Sequence, residues 1–467
     1  MLNVVVKSHR VSLKANTTEA QKLFVMFKVI PKAEVAKTRP PLVLALAIDT
    51  SSSMQLFADQ QKAEDEINRR GLQREQQTTS DGKYQTVNLS LPTKLDQAIA
   101  SARALIDDSR LLPEDKVTVI HFDDDAKAIL PLTRLSSKQS LHTAIDSLRQ
   151  YSGATHMGKG LDCAKQQLCD LPGQVAKRVL LLTDGQTFDE SECRAIAPQF
   201  TEANTPIIAI GLGDEYNEEL LLELAQVTQG RPYHLQKIEE LGQILNEEVG
   251  TSVREVVTNL QATVSTVKGV TLDTITRVYP SLSDVNLTGS QHRLGNVVAG
   301  DYTVFILEFT VSGVERPPSR VRIAQLGLAG DAPGLGRREE FPPQNLFVEF
   351  TTDEAAIAEV DAEVLGYVQQ KNVDRMVNDA VRSAKEDPNR ARQTLQVAVN
   401  MTKRLGNSAV TKMLENTLEE LNKTGTISPN TAKTIRAGGR TKTIKTQGTK
   451  QMEGVPSQDE IRRLTGA

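Results

Sequence analysis

The chain has 467 residues and a mass of 51.2 kDa, a length suited to about two to four domains. With 39% hydrophobic and 24% charged residues it is neither a disordered nor a collagen-like chain, and no stretch reaches the roughly 20 apolar residues of a membrane helix. The net charge of -4 argues against a nucleic-acid binder along the whole chain, so no membrane and no nucleic-acid partner is expected. The opening MLNVVVKSHRVSLK lacks a basic region followed by an apolar run, and three cysteines (Cys163, Cys169, Cys193) cannot make an even disulfide framework. Both features set the expectation of a cytoplasmic protein.

Taken in chain order, residues 3–6 and 23–30 (LFVMFKVI) are rich in β-branched and aromatic residues and read as strands, ended by prolines at 31, 40 and 41. From Leu42 onward, short apolar runs alternate with amphipathic segments. VLALAID (43–49), KVTVIHF (116–122), RVLLLTD (178–184) and PIIAIGLG (206–213) are near-continuously apolar, as strands covered on both faces must be. Helical patterns fall at 94–108, 137–149, 158–169, 190–199, 217–228 and 238–248, the first with Thr93 as N-cap and Asp96 three residues on. Such repetition specifies a parallel sheet with helices on both sides.

After about Thr251 the period becomes two. VTNLQATVS (257–265), YTVFILEFTVS (302–312), SRVRIAQLGL (319–328) and NLFVEFT (345–351) predict an antiparallel β-sandwich. A two-stranded hairpin is marginal by itself, so the strands before residue 40 are expected to join this sandwich, leaving the α/β unit inserted into it. From Asp353 the pattern is helical again, with breaks at Asp387-Pro388 and Gly406-Asn407 that delimit three helices of a small bundle. Beyond Thr424 a flexible basic tail is expected, ending in a short helix at Ser457–Leu464; six bases and no acid lie between Thr424 and Met452. The expected domains are therefore 1–40 (N-terminal sandwich strands), 41–250 (α/β unit with an insertion at 55–93), 251–351 (sandwich), 352–424 (bundle) and 425–467 (tail).

The first buried strand runs into Asp49-Thr50-Ser51-Ser52-Ser53, a second loop holds Gly153-Ala154-Thr155, and Thr183-Asp184-Gly185 closes another strand. Open parallel sheets bind ligands at the carboxyl edge, where these loops can converge. A set of three hydroxyls and two carboxylates suits a small hard cation, Mg²⁺ first, with Mn²⁺ or Ca²⁺ as alternatives.

In these residues the chain resembles the von Willebrand factor A family, whose metal-ion-dependent adhesion site has the pattern D-x-S-x-S, then Thr, then Asp. Asp49, Ser51, Ser53, Thr155 and Asp184 match all five positions, and the resemblance continues in VTVIHFDDDAKAILPLT (117–133), GATHMGKGL (153–161) and IGLGDEYNEELLLELA (210–225). It covers roughly residues 41–250. The resemblance implies a doubly wound, mostly parallel α/β domain and a binding device rather than an enzyme: the ion's last coordination position takes a carboxylate from a partner protein or a water. One departure is the polar stretch at 55–93, where family members pass almost directly into helix. It reads as a helix and small hairpin on the surface, or as a lid beside the metal.

Other features carry less. Gly153-x-x-x-x-Gly158-Lys159-Gly160 is close to a phosphate-binding loop, but Gly160 stands where the hydroxyl residue belongs. Asp123-Asp124-Asp125 reads as a solvated turn rather than a second cation site, and the six histidines show no ligand spacing, although His156 follows the metal threonine. Ser51 and Ser53 have no nucleophile elbow around them, so a hydrolase using the hydroxyl-rich loop is the minority reading. Thr441, Thr443, Thr446 and Thr449, among cations, are candidate phosphorylation sites. The sandwich beside the α/β unit loosely resembles stand-alone bacterial proteins of the inter-alpha-trypsin-inhibitor or chloride-channel-regulator type. Some cytoplasmic proteins of that broad class work with Ser/Thr kinases and phosphatases. The resemblance thus implies a bacterial adaptor whose partners include a Ser/Thr kinase, a phosphatase or a phosphothreonine-reading protein.

Overall fold

The computed structural model describes residues 2–32, 39–72, 75–79, 82–86, 89–172 and 174–446. The chain divides into two compact units: residues 39–255 form one, and residues 1–38 with 256–467 form the other.

The second unit in this naming opens with β1 (Leu2–Ser8), β2 (Ser12–Lys14) and β3 (Gln21–Pro31). The inserted unit follows with β4 (Leu42–Asp49), α1 (Gln60–Arg70), the hairpin β5 (Glu75–Thr79) and β6 (Gly82–Thr86), α2 (Lys94–Ile106), β7 (Lys116–Phe122) and β8 (Ala126–Arg134). It continues through α3 (Lys138–Ser147), α4 (Met157–Leu168), β9 (Ala176–Thr183), α5 (Glu190–Glu202), β10 (Ile207–Leu212), α6 (Glu218–Val227), β11 (Arg231–Leu235) and α7 (Leu241–Ser252). Its sheet has the order β11-β10-β9-β4-β7-β8, parallel except for the edge strand β8. Every residue of β4, β9 and β10 is buried, which is why these strands read as unbroken apolar runs. Leu44, Leu46 and Ile48 face one apolar layer with α2, α3 and α7, while Val43, Ala45 and Ala47 face the other with α4, α5 and α6.

The insertion at 55–93 takes the helix-and-hairpin form: α1 is capped by Asp59 and ended by Gly71 at φ +62°, a left-handed turn that suits glycine.

The sandwich is completed by β12 (Glu255–Thr266), β13 (Val270–Tyr279), β14 (Ser283–Val285), β15 (His292–Val298), β16 (Thr303–Val311), β17 (Ser319–Ala332) and β18 (Arg337–Thr351). One sheet has the order β1-β3-β16-β13-β14 and the other β15-β12-β17-β18-β2, so the strands before residue 40 do enter both sheets. Strand β14 is only three residues long, and β13 and β15 interrupt their apolar residues with Thr271, Asp273, Thr274, Gly295 and Asn296, so none shows a clean period in the sequence.

The strict alternation expected of a sandwich fails in β3 and β16. Leu23–Phe27 and Thr303–Leu307 are buried continuously, because the face of the first sheet away from β17 is covered by a helix. Phe24, Met26, Val304 and Ile306 there meet Val364, Tyr367 and Val368 of α9 (Ala362–Ser383), which follows the short α8 (Glu354–Ala358). Asp361 caps α9, which leaves Ile357 in α8 and Val360 in the break between the two helices.

After α9 come α10 (Pro388–Leu405), α11 (Ser408–Thr424) and a further helix, α12 (Pro429–Thr441). Here the expectation of a flexible tail from 425 is corrected. Ser428 caps α12, Pro429 occupies its first turn, and Ile435 enters the apolar core of the bundle. The stretch has few large apolar residues, and its run of bases predicts a solvated segment. In the structure Lys433 is buried and Arg440 pairs with Asp374. The expected helix at Ser457–Leu464 lies outside the described residues.

Candidate metal centre

The strand order reverses direction at β4, whose neighbours β9 and β7 are reached by crossovers on opposite sides. Ile48 pairs with Leu182, so Asp49 and Thr183 end adjacent parallel strands together at the carboxyl edge. Asp49 is fully buried. Its Oδ1 accepts the Ser51 backbone N–H at 2.8 Å, and its Oδ2 accepts the Thr183 hydroxyl at 2.6 Å.

The serine loop then turns through a single 3-10 turn at Ser52–Gln55. The Ser51 and Ser53 hydroxyls are 3.1 Å apart, and Ser53 Oγ donates to Asp184 Oδ1 at 2.6 Å. The Ser52 N–H donates to the Gly153 carbonyl at 2.9 Å, which ties this loop to the one that carries Thr155. A Cβ placed on Gly185 would stand 3.6 Å from Thr155 Oγ1 and 3.9 Å from Ser53 Oγ, so these hydroxyls converge beside the third loop. All five sequence-predicted residues are thereby brought together.

The donor set fits a small divalent cation. Neighbouring ligands of an octahedral Mg²⁺ ion at about 2.05 Å are separated by about 2.9 Å, and the hydroxyl–hydroxyl and hydroxyl–carboxylate separations here are 3.1 and 2.6 Å. Electrostatics agrees: burial first, and then the Asp184 carboxylate, push Asp49 up from the ordinary carboxylate range to about 7. A carboxylate whose ionisation is made costly by burial and by a neighbouring acid is relieved by a cation. Among the described residues no group of three or more His, Cys, Asp and Glu could hold a metal ion, so a cation at this site would depend on the hydroxyls.

Two neighbours escaped the sequence reading. Lys94, the first residue of α2, places its Nζ 2.6 Å from Asp184 Oδ2. Phe188, whose N–H donates to the Thr155 carbonyl at 3.0 Å, is 74% exposed beside the loop. The only sequence signal for Lys94 was its position directly after the cap of α2; an exposed phenylalanine leaves none.

The weaker motifs resolve into structure. At the start of α4 the Gly158 and Lys159 N–H groups donate to Asp189 at 3.0 and 3.1 Å, so a side chain of the same unit takes the donors a phosphate would need. A Cβ on Gly160 would lie 2.7 Å from the Phe122 ring, so that glycine serves helix-to-strand packing. Asp123 is buried and accepts Thr50 Oγ1 at 3.1 Å and the Asp125 N–H at 3.1 Å, while Asp124 and Asp125 are exposed. His121 stacks on Tyr151 and reaches Thr50 Oγ1 at 3.4 Å; His156 touches the Asp123 carbonyl at 3.0 Å through Nδ1.

The candidate phosphorylation sites fare differently. Thr446 is buried and donates to the Glu363 carbonyl, Thr441 donates to the Ala437 carbonyl, and the Thr443 hydroxyl is buried. Thr449 lies outside the described residues.

Comparison with known proteins agrees with this architecture. Residues 90–247 match the model of the von Willebrand factor type A domain, and residues 362–445 match that of an Sll0103-like, C-terminal alpha-helical domain. The first match begins at residue 90, near the end of the insertion, so β4 and its serine loop lie outside the match and join the domain through the sheet. The second includes α12. The uncharacterized protein YfbK of Escherichia coli K12 is 24% identical over 223 residues, 46% of this chain and 38% of the relative. The uncharacterized protein sll0103 of Synechocystis sp. is 23% identical over 257 residues, 52% of this chain and 59% of the relative. The matched regions thus span less than two thirds of either relative's length. A solved structure described as von Willebrand factor type A from Catenulispora acidiphila superposes with a TM-score of 0.73 at 14% identity, covering 94% of this chain and 97% of that one.

Proposed function

We propose, on the premise that this chain carries a von Willebrand factor A domain, that it is a non-enzymatic adaptor which captures an acidic side chain of a partner protein at a divalent ion. Asp49, Ser51, Ser53, Thr155 and Asp184 would hold the ion, Mg²⁺ in the first place with Mn²⁺ or Ca²⁺ as alternatives. When bound, the ion supplies a positive centre whose charge two carboxylates leave incompletely balanced, so that an Asp or Glu from outside gains a charge-assisted bond. The observation that carries the reading is the meeting of the serine loop with Asp184, Ser53 Oγ lying 2.6 Å from Asp184 Oδ1. Asp49 holds the loop in shape through the Ser51 N–H, and Thr183 fixes the orientation of its carboxylate.

The hydrolase alternative gains nothing from the geometry. The Ser51 and Ser53 hydroxyls bond each other and Asp184, and His121 reaches Thr50 instead. Three free cysteines suit the reducing cytoplasm, and among the described residues no helix is long and apolar enough to cross a membrane. Regulation by a kinase or phosphatase through Thr441, Thr443 or Thr446 would require the packed segment to open first, since a kinase needs the hydroxyl exposed.

The test is Mg²⁺ and Mn²⁺ titration of wild type, Asp49→Ala and Thr155→Ala, followed by pulldown in Mg²⁺ and in EDTA. Loss of metal binding in both variants, with circular dichroism unchanged, and loss of the captured partner in EDTA are expected. A partner retained equally in EDTA and by Asp49→Ala would remove the metal from the mechanism.

A further inference from the structure

Asp184 has no exposed side-chain surface, and both of its carboxylate oxygens are engaged: Oδ1 by Ser53 Oγ and Oδ2 by Lys94 Nζ, each at 2.6 Å. The Lys94 side chain keeps 18% of its surface exposed, so its stem leads from solvent inward to the acid. A buried carboxylate needs such a partner, because an unpaired charge removed from water is costly. The helix gives Lys94 no reason to stand there. It is the first residue of α2, where the helix dipole disfavours a cation, and the cap is already complete through the reciprocal bonds of Thr93 and Asp96.

Its position is set instead by the neck of the insertion. Phe57 and Thr93 form an antiparallel bridge, the Lys94 N–H donates to the Leu56 carbonyl at 2.9 Å, and the Ala58 N–H donates to the Pro92 carbonyl at 2.9 Å. The insertion therefore leaves the serine loop and returns, zipped to itself, with Lys94 aimed at the second carboxylate of the same site.

We propose that Lys94 is a resident competitor for the ion at this centre. Its ammonium supplies positive charge to the Asp49–Asp184 pair, and a divalent cation bound through Asp184 must displace it or bear its repulsion at close range. Lysine suits this role: it is a compact point charge on a flexible four-carbon stem that can swing to solvent. The metal affinity of the domain is then held low by its own side chain and rises when that side chain is drawn away. This rests on the metal-binding reading above and adds to it the residue that sets the strength of binding.

The experiment is a Mn²⁺ titration of the full chain by calorimetry, for wild type, Lys94→Met and Lys94→Arg, with thermal melts in EDTA and in saturating Mg²⁺. Lys94→Met keeps the stem and removes the charge. It should bind Mn²⁺ at least tenfold more tightly, melt below wild type in EDTA because Asp184 has lost its counter-charge, and recover in Mg²⁺; Lys94→Arg should stay near wild type. An unchanged or weakened Mn²⁺ Kd in Lys94→Met overturns the competitor while leaving the metal site intact. Absence of Mn²⁺ binding in all three proteins overturns the metal site itself, and the competitor with it.

Discussion

The Arg440 guanidinium donates to both oxygens of Asp374, from Nε to Oδ1 at 3.2 Å and from Nη2 to Oδ2 at 3.3 Å, linking the end of α12 to the middle of α9. Burial pushes the Asp374 carboxyl up, and Arg440 opposes that shift. The Arg440 carbonyl also accepts the Leu282 N–H at 2.8 Å, so one residue holds the last helix to both the bundle and the sandwich. Removing one partner of a buried pair costs about 3 kcal/mol, and Arg440→Met should lower stability by about that much in urea titrations. A stability equal to wild type would mean that the segment after Thr424 is a tail after all.

His9 lies buried in the same unit, with its Nδ1 accepting the Phe24 N–H at 3.1 Å and its ring edge-on to Phe24 at 5.2 Å. Burial, and then Arg10, lower it from 6.5 to about 3. Between those values the unfolded chain takes up a proton that the folded chain refuses. The stabilising contribution is therefore complete above pH 6.5 and shrinks as pH falls toward 3, at up to about 1.4 kcal/mol per pH unit. In His9→Asn, whose amide oxygen can accept the same N–H, the urea midpoint should fall less between pH 7 and pH 5 than in wild type. Identical pH profiles would assign the acid sensitivity elsewhere.

Gly160 offers a packing test free of the metal. Alanine is the better helix former by about 1 kcal/mol, yet its Cβ would meet Phe122 Cδ1 at 2.7 Å. Overpacking should win, and Gly160→Ala should be less stable by about 1–2 kcal/mol in thermal melts. A stabilised variant would show that α4 can shift off β7 at little cost.

Phe188 separates binding from folding. Its exposure predicts a stability change within about 0.5 kcal/mol for Phe188→Ala, because little apolar surface is removed from the core. Standing next to Thr155, it is a candidate anchor for apolar surface around the partner's acid. Capture of the partner should weaken by about 1–2 kcal/mol in affinity measurements, a typical share for an aromatic contact at an interface. Undiminished affinity would place the contact surface on another side of the metal.

Much of the fold was legible because burial on two faces leaves a plain mark. VLALAID and RVLLLTD read as inner strands of a parallel sheet, which puts their last residues, Asp49 and Asp184, at one edge of it. The pattern D-x-S-x-S added the hydroxyls. Thr93 caps α2 as its sequence context predicts, and the breaks at Asp387-Pro388 and Gly406-Asn407 fall at helix starts, where the Asp387 and Asn407 side chains accept backbone N–H groups.

What tertiary structure alone decided depends on contacts between residues far apart in the chain, which no local period records. The packing of α9 against β3 and β16 turned an expected alternation into continuous burial, and a buried acid at 374 turned a run of bases near 440 from solvated tail into structure. Lys94 is the sharpest case. Its charge is ordinary in the sequence, and only the closure of the insertion's neck brings it to Asp184, because an ion pair is set by distance through space and not by separation along the chain.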